Sequence, residues 1–542
     1  MTLRPGKTDW RRFVSPALLL LSIAGLNLAL AFQNVWPTLW VRPTFEIATE
    51  LVAILLLLAA WGEWRGAVPR WLRRTAIACV GLLILGRYAD VTAHALFGRP
   101  MNLYFDLAHL PNVMAMTAEA RSTGDLVLFA VAVCVAVTVV ALCVWLAVRT
   151  VTDAMQITVL RRCIIAVAGS LLAIFAVGQG GGIAVVQKRF ALPITPVYAK
   201  QAGFAARAVA GAVPAMDFMK GDVVSSDLVR LEKGDMFVFF LESYGAVAHK
   251  EAGLSSTVIP RLQRLEEKLG AEGWHMASAF LTSPTFGGAS WLAHSSFLSG
   301  LTISQNQDYQ LLLSTRRPTM VDVFRKAGYR SVALMPGLKR TWPEGAYYGY
   351  DRIYDASSLN YAGPEFGWWS IPDQVALERL YRNEVAPADR SPLFVVFPTI
   401  MSHMPFGPLP PYIEDWERLS DTGVYRENVP DTADGKQDWK RLRQAYGRAL
   451  AYNLDMVEGF MRHRSPRNAF VVVIGDHQPP AMVSGPKADW KVPVHVFTRT
   501  AGIFDRLERA GLRRGAIPQG ASLAKMAQFH GIILKALHGG DG

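Results

Sequence analysis

The sequence predicts two regions of different fold class: a five-helix transmembrane domain, then an α/β domain with a mainly parallel sheet. Three observations predict this. Apolar segments of roughly membrane-spanning length crowd the front of the 542 residues. From about residue 233, short β-branched runs alternate with amphipathic helical stretches. Several of those runs end abruptly in acids, imidazoles or hydroxyls, as strands do when their carboxyl ends deliver functional groups to a sheet rim.

The apolar segments lie near residues 14–36, 47–64, 75–95, 125–148 and 163–185. Each approaches or exceeds the ~20 residues a spanning helix needs. Glu50 in the second and Arg87 and Asp90 in the third read as polar contacts between helices ahead of a lipid-substrate site. Basic residues set the orientation. Arg4, Lys7, Arg11, Arg12, then Arg65, Arg70, Arg73, Arg74, then Arg149, Arg161 and Arg162 fall on one side. Only Arg42, Arg99 and Arg121 fall on the other. The N-terminus is therefore expected in the cytoplasm and everything after about residue 185 outside. A cleaved signal peptide ending near Ala29-Leu30-Ala31 is the alternative for the first segment, and it leaves the outer placement unchanged. Residues 101–107 read as an amphipathic piece at the outer membrane boundary or as a packed loop.

The net charge is +12, but much of the excess flanks apolar segments, and no basic patch interleaves with aromatics. That assigns the charge to membrane topology and excludes nucleic acid. The four cysteines, Cys79, Cys134, Cys143 and Cys163, all precede the outer region. The outer region thus has neither disulfide nor thiolate metal site, and a transition metal there must use His, carboxylate or hydroxyl ligands.

The expected domains are 1–185 in the membrane, 186–232 as a linker with helical character, and 233–542 as the outer domain. Strand-like runs cover 236–241, 276–282, 331–335, 393–399, 469–474 and 492–498. Helix-like runs cover 257–271, 290–299, 318–327, 371–385 and 437–463, with a closing helix over 520–538. Residues 405–436, rich in Pro, Asp and Gly, read as a long surface loop.

Four strand ends carry chemistry. Phe237-Val238-Phe239-Phe240-Leu241 ends in Glu242, a position that alone is more often a cap than a ligand. Asn468 to Ile474 ends in Gly475-Asp476-His477. Two ligand-type residues in tandem after a buried strand are costly unless paired, solvated or metal-bound. Pro284-Thr285-Phe286-Gly287-Gly288-Ala289 leads to Ser290 at a helix start. There a hydroxyl serves as a cap, or as a nucleophile if a metal activates it beside the anion-favouring helix terminus. His294, one turn on, faces the same pocket or packs in the core. Phe397-Pro398-Thr399-Ile400-Met401-Ser402 leads to His403, a structural hydrogen-bonder or a binder of substrate phosphate.

In this order the pieces Phe-Leu-Glu242-Ser-Tyr-Gly, Gly-Gly-Ala-Ser290, Ser-His403-Met-Pro-Phe and Gly-Asp476-His477 resemble the sulfatase-like branch of the alkaline phosphatase superfamily. The apolar front is similar to membrane-anchored phosphoglycerol transferases of the lipoteichoic acid synthase type, and to lipid A phosphoethanolamine transferases. The resemblance implies that Glu242, Asp476 and His477 ligate one divalent metal, manganese or zinc ahead of magnesium. Ser290 would be the fourth ligand and the nucleophile. His403 would bind substrate, with His294 beside it. Arg340 and Trp342 stand where the phosphoglycerol branch has a substrate-binding Trp and Arg, in swapped order. The usual nucleophile is threonine, so Thr285 and Ser283 stay open as alternatives.

The implied activity is head-group transfer from phosphatidylglycerol or phosphatidylethanolamine to a glycan or glycolipid acceptor. It would run through a phospho-serine intermediate at the outer face of a bacterial inner membrane. The Ser-His-x-Pro-Phe motif and the absence of outer-domain cysteines favour phosphoglycerol over phosphoethanolamine. The absence of Cys-x-Pro-x-Arg argues against a formylglycine sulfatase. A phosphodiesterase or sulfatase-like hydrolase is the other enzymatic reading, and a non-catalytic lipid- or glycan-binding envelope protein belongs to a different class.

Overall fold

The computed structural model describes residues 15–35, 38–97, 114, 122–180, 183, 186, 188–209, 223–339, 342–366, 371–426, 441–485 and 488–540. The chain divides at residues 213/214 into two compact units. The segment 101–107 and Arg340 lie outside the described residues.

The front unit places apolar helices where the sequence predicts them: α1 (Pro16–Leu30), α2 (Thr49–Arg65), α3 (Arg70–Phe97), α4 (Thr123–Ala154) and α5 (Thr158–Gly180). Among the described residues three of these, α3, α4 and α5, are long and apolar enough to cross a membrane. At 1.5 Å per residue α1 and α2 are only about 22–26 Å long, short of the ~30 Å apolar core. Five crossings are therefore not shown. After α1 the apolar chain turns into a small antiparallel hairpin, β1 (Phe32–Asn34) with β2 (Val41–Pro43). Asn27 holds this end, donating to Glu46 O at 2.8 Å and accepting from Ala48 N at 2.9 Å. Glu50 accepts from the Thr195 backbone N–H, at the start of α6 (Thr195–Val209). Buried Arg87 donates to Phe32 O at 3.2 Å and Leu192 O at 3.0 Å. Glu50 thus satisfies an amide at a helix start, and Arg87 two carbonyls outside the helices.

The outer unit is built on a nine-stranded sheet ordered β10-β4-β9-β8-β3-β7-β5-β6, with β11 against β4. The strands are β3 (Met236–Leu241), β4 (His275–Thr282), β5 (Arg330–Leu334), β6 (Arg352–Tyr354), β7 (Leu393–Pro398), β8 (Phe470–Gly475), β9 (Lys491–Thr498), β10 (Arg513–Arg514) and β11 (Ser522–Lys525). Central β3 pairs in parallel with both β7 and β8. However, β9 runs antiparallel to β8 and β4, and β10 antiparallel to β4. The sheet is mixed, which corrects the expectation of a mainly parallel one. The link from β8 to β9 holds, among its described residues, just the single helical turn Ala481–Ser484. A parallel return is usually made by a helix that runs back along the sheet, and one turn is too short for that, so the chain folds back instead.

The reversal leaves β3, β4, β7 and β8 pointing the same way, with their carboxyl ends on one rim. Antiparallel β9 begins there. Its first residues accept two loop amides: Ser283 N to Trp490 O and Ala246 N to Lys491 O, both at 2.9 Å.

Helices cover both faces: α7 (Ala252–Ala271), α8 (Ser290–Ser299), α9 (Asp373–Leu380), α10 (Leu442–His463) and α11 (Met526–Leu537). Strand β3 is wholly buried and feeds both layers. Phe237, Phe239 and Leu241 join a core with Leu262 of α7 and Phe460 of α10. Met236, Val238 and Phe240 join a second with Phe297 of α8 and Phe529 of α11. Two expectations change. The first turn of the expected closing helix is strand β11, and Trp416, Leu419 and Tyr425 of the expected surface loop are core residues.

Candidate active site

Glu242 stands one residue past β3, and Asp476 and His477 stand one and two past β8. Because β3 and β8 run in parallel register, with Leu241 opposite Gly475, both strand ends reach the same place. The ligand atoms of Glu242, Asp476 and His477 all lie within 4.8 Å of one another, and all three residues are buried. Ser290 arrives from β4. Gly287, Gly288 and Ala289 all take positive φ, which sets Ser290 as the first residue of α8. Ala289, at φ 62°, holds a left-handed conformation that costs a non-glycine residue energy and recurs where a turn presents a functional group. Ser290 Oγ donates to Glu242 Oε2 at 2.8 Å and lies 3.1 Å from His477 Nε2.

His477 Nδ1 contacts the Gln478 carbonyl oxygen at 2.8 Å. A carbonyl only accepts, so Nδ1 carries the proton and Nε2 presents its lone pair to Ser290 and Glu242. Asp476 Oδ1 accepts from the backbone N–H groups of Ser243 and His477 at 2.8 and 2.6 Å. Its Oδ2 is buried and has no hydrogen-bond partner. Burial works against the Glu242 charge, but the neighbouring His477 and His403 together with hydrogen bonds from Asp476 and Ser290 outweigh it and bring its pKa to about 2. Burial, and then the Glu242 charge, push the Asp476 carboxyl far above the usual range. Burial also lowers His477, keeping it neutral as a ligand must be. Two carboxylates, a neutral imidazole with a fixed tautomer and an orphaned carboxylate oxygen fit a hard or borderline divalent cation.

Residues 235–496 match the sulfatase family model. The outer unit is a sulfatase-family domain. No curated protein matches the chain. Among solved structures, it is similar to the integral membrane lipooligosaccharide phosphoethanolamine transferase A (EptA) from Neisseria meningitidis. The two share 15% identity over 96% of this chain and 95% of that one, with a TM-score of 0.46. The lipoteichoic acid synthase LtaP from Listeria monocytogenes shares 16% identity over 52% of this chain and 70% of its own, with a TM-score of 0.35. A protein of the alkaline phosphatase superfamily from Vibrio parahaemolyticus shares 14% identity over 49% of this chain and 60% of its own, with a TM-score of 0.33.

The other expected residues of the sulfatase-family domain fall into three groups. His403 stands beyond β7, and its Nδ1 donates to Met404 O at 2.7 Å, which turns Nε2 into the acceptor nitrogen. His294 lies under the site, its ring tilted at 43° against the Phe240 ring with centroids 4.3 Å apart, and Nε2 3.9 Å from Asp476 Oδ2. Burial lowers its pKa to about 4. Trp342 stacks on Tyr348, whose hydroxyl meets Ser295 of α8 at 2.8 Å, so its place is in an aromatic group against α8.

The two alternative hydroxyls are occupied elsewhere. Ser283 Oγ donates to Asp476 O and Thr285 Oγ1 to Gly288 O, each at 2.5 Å. Both hold the loop's backbone, and Ser290 is the hydroxyl facing Glu242 and His477.

Sequence reasoning missed the supports around Glu242. Ser243 Oγ donates to Glu242 Oε1 at 3.0 Å. Tyr446 of α10 donates to Ser243 O at 2.8 Å. The turn Thr399–Ser402 bonds to the Glu242 backbone. The hydroxyls in Thr399-Ile400-Met401-Ser402 were visible beside His403, but Tyr446 gave no local signal inside an amphipathic helix.

Proposed function

We propose that this protein transfers a phospholipid head group, phosphoglycerol ahead of phosphoethanolamine, to a glycan or glycolipid hydroxyl outside the cytoplasmic membrane of a bacterium. One observation carries the reading. Ser290 Oγ stands at the start of α8, hydrogen-bonded to Glu242 and against the lone-pair nitrogen of His477, beside the unpartnered Asp476 Oδ2. The sulfatase family match and the order of the four strand-end motifs support it.

In this reading Glu242, Asp476 and His477, with Ser290, hold one divalent ion, zinc or manganese. Such an ion supplies charge neutralisation at the phosphoryl group and lowers the pKa of a bound hydroxyl. Ser290 Oγ gives up its proton and forms the bond to phosphorus as the bond to the diacylglycerol oxygen breaks, and that oxygen takes up a proton and leaves as the diacylglycerol hydroxyl. The Ser290 proton already points at Glu242 Oε2. Amides at the start of α8 face an anion in the orientation that favours one. His403, through Nε2, and the segment containing Trp342 and Arg340 bind the head group. His294 steadies Asp476. The acceptor hydroxyl then takes the group from Ser290, and the site returns to its starting state.

The test is Ser290→Ala in the full chain, assayed with vesicles containing phosphatidylglycerol or phosphatidylethanolamine. Diacylglycerol release should cease while the melting temperature stays within a few degrees. Mass spectrometry of the unmodified protein should find phosphoglycerol or phosphoethanolamine on the Ser290 peptide. Unchanged release by the variant overturns the assignment. Release without any transferred product identifies a hydrolase.

A further inference from the structure

The turn after β7 grips Glu242 from both sides. Thr399 Oγ1 accepts the Glu242 N–H at 3.1 Å. Ser402 Oγ donates to Glu242 O at 2.6 Å. One turn therefore fixes both main-chain hydrogen-bonding groups of a residue at the heart of the site. The residue that follows this turn is His403.

Two buried side chains from separate helices hold the turn in place. Asn453 of α10 is 0% exposed and donates through Nδ2 to Ser402 Oγ at 2.7 Å and Thr399 Oγ1 at 3.2 Å. Its Oδ1 has no hydrogen-bond partner, so its burial is compensated by its bonds to the turn. Asp373, the first residue of α9, is also 0% exposed. Its carboxylate accepts Ile400 N at 3.0 Å and Met401 N at 2.9 Å. Between them, these two side chains bind every residue from Thr399 to Ser402. A small shift of either moves the Glu242 backbone and the base of His403 as one body.

We propose that Asn453 and Asp373 are positioning residues that couple Glu242 to His403 through the Thr399–Ser402 turn. Metal affinity and substrate affinity then rise and fall together. The inference rests on the reading of Glu242 as a metal ligand and His403 as a substrate-binding residue. Groups that orient metal ligands typically change metal affinity or activity by about tenfold to hundredfold when removed. A side chain that merely fills the core changes stability and leaves both affinities alone.

The experiment uses the full chain in detergent with two readouts. Zinc affinity is measured by competition with a chromophoric chelator. The KM for bis(p-nitrophenyl) phosphate, as probe diester, is measured at saturating zinc. Glu242→Gln should lose zinc, and His403→Ala should raise KM with zinc affinity unchanged. Asn453→Ala and Thr399→Val should weaken zinc by about tenfold to hundredfold and also raise KM. Thr399→Ser, which keeps the hydroxyl, should restore both. If Asn453→Ala fails to fold, the Thr399→Val and Thr399→Ser pair decides.

A folded Thr399→Val with unchanged zinc affinity, or with weakened zinc and unchanged KM, overturns the coupling. Retained zinc affinity in Glu242→Gln overturns the metal reading, and this inference with it.

Discussion

Gly475→Ala tests the site without altering any proposed ligand. Gly475 closes β8 opposite Leu241. A methyl group on it would lie 1.9 Å from the Tyr244 carbonyl oxygen, where ordinary contact begins near 3.4 Å. The obstructing atom belongs to the backbone, so no side-chain rotation relieves the clash. The end of β8 or the segment after β3 must move by about 1.5 Å to restore normal contact. Asp476 and His477 follow Gly475 directly, and Tyr244 lies two residues beyond Glu242, so whichever side yields carries a proposed ligand with it. Misplacement on the order of 1 Å costs about a hundredfold in rate, or ~2.7 kcal/mol of transition-state stabilisation. The overpacking itself should cost about 1–3 kcal/mol of stability. Turnover of the probe diester and zinc affinity, measured beside a melting curve, give the answer. Gly270→Ala on α7 is the control, because a methyl there meets nothing within 4 Å. A folded Gly475→Ala with turnover and zinc affinity like the unmodified protein would refute the argument that strand-end spacing sets the site.

Two further predictions concern stability. Burial holds His495 near pKa 3 and His530 near 4. Unfolding lets each bind a proton below its ordinary value of about 6.5, so stability is complete above that pH. It falls as the solution is acidified toward 4, by up to about 1.4 kcal/mol per pH unit for each residue. Melting temperatures from pH 7 to 5 should drop accordingly, and a flat profile would exclude these histidines as the cause. Glu378, 0% exposed, accepts from Arg464 Nε at 2.7 Å and Arg382 Nε at 2.6 Å. Glu378→Ala strips the buried Arg464 of one carboxylate while Glu417 remains 2.9 Å away, so the loss should sit near 3 kcal/mol, the low end for breaking a buried pair. A denaturation midpoint unchanged by this variant would contradict that value.

The strand-end residues were legible because the signal is local. A run such as Phe470–Ile474 has to be buried, and polar groups straight after it need a reason. Ser290 was legible from its glycine turn, although the left-handed Ala289 that aims it was not. Strand direction left no such trace: β9 has the composition of its parallel neighbours, and what differs is a preceding link with no more than one helical turn among its described residues. The short α1 has a related explanation. Apolarity continues past Leu30 through Ala31, Phe32 and Val35, and composition alone does not separate a longer helix from a hairpin. Asn453 was invisible because its partners Thr399 and Ser402 are 54 and 51 residues away in the sequence. No periodicity in α10 marks it.

The start of β9 has a consequence for how this rim can change. Trp490 O and Lys491 O hold the loops after β4 and β3, and Gln478 O holds Gly287 N at 3.1 Å. These main-chain bonds tie the loops after β3 and β4 to the one link between β8 and β9, so an insertion in that link disturbs both loops. The stretch between His403 and α10 takes no part in these three bonds. Drift in length and sequence is therefore expected to accumulate there, between the buried anchors Trp416, Leu419 and Tyr425, while the surroundings of Ser290 stay fixed.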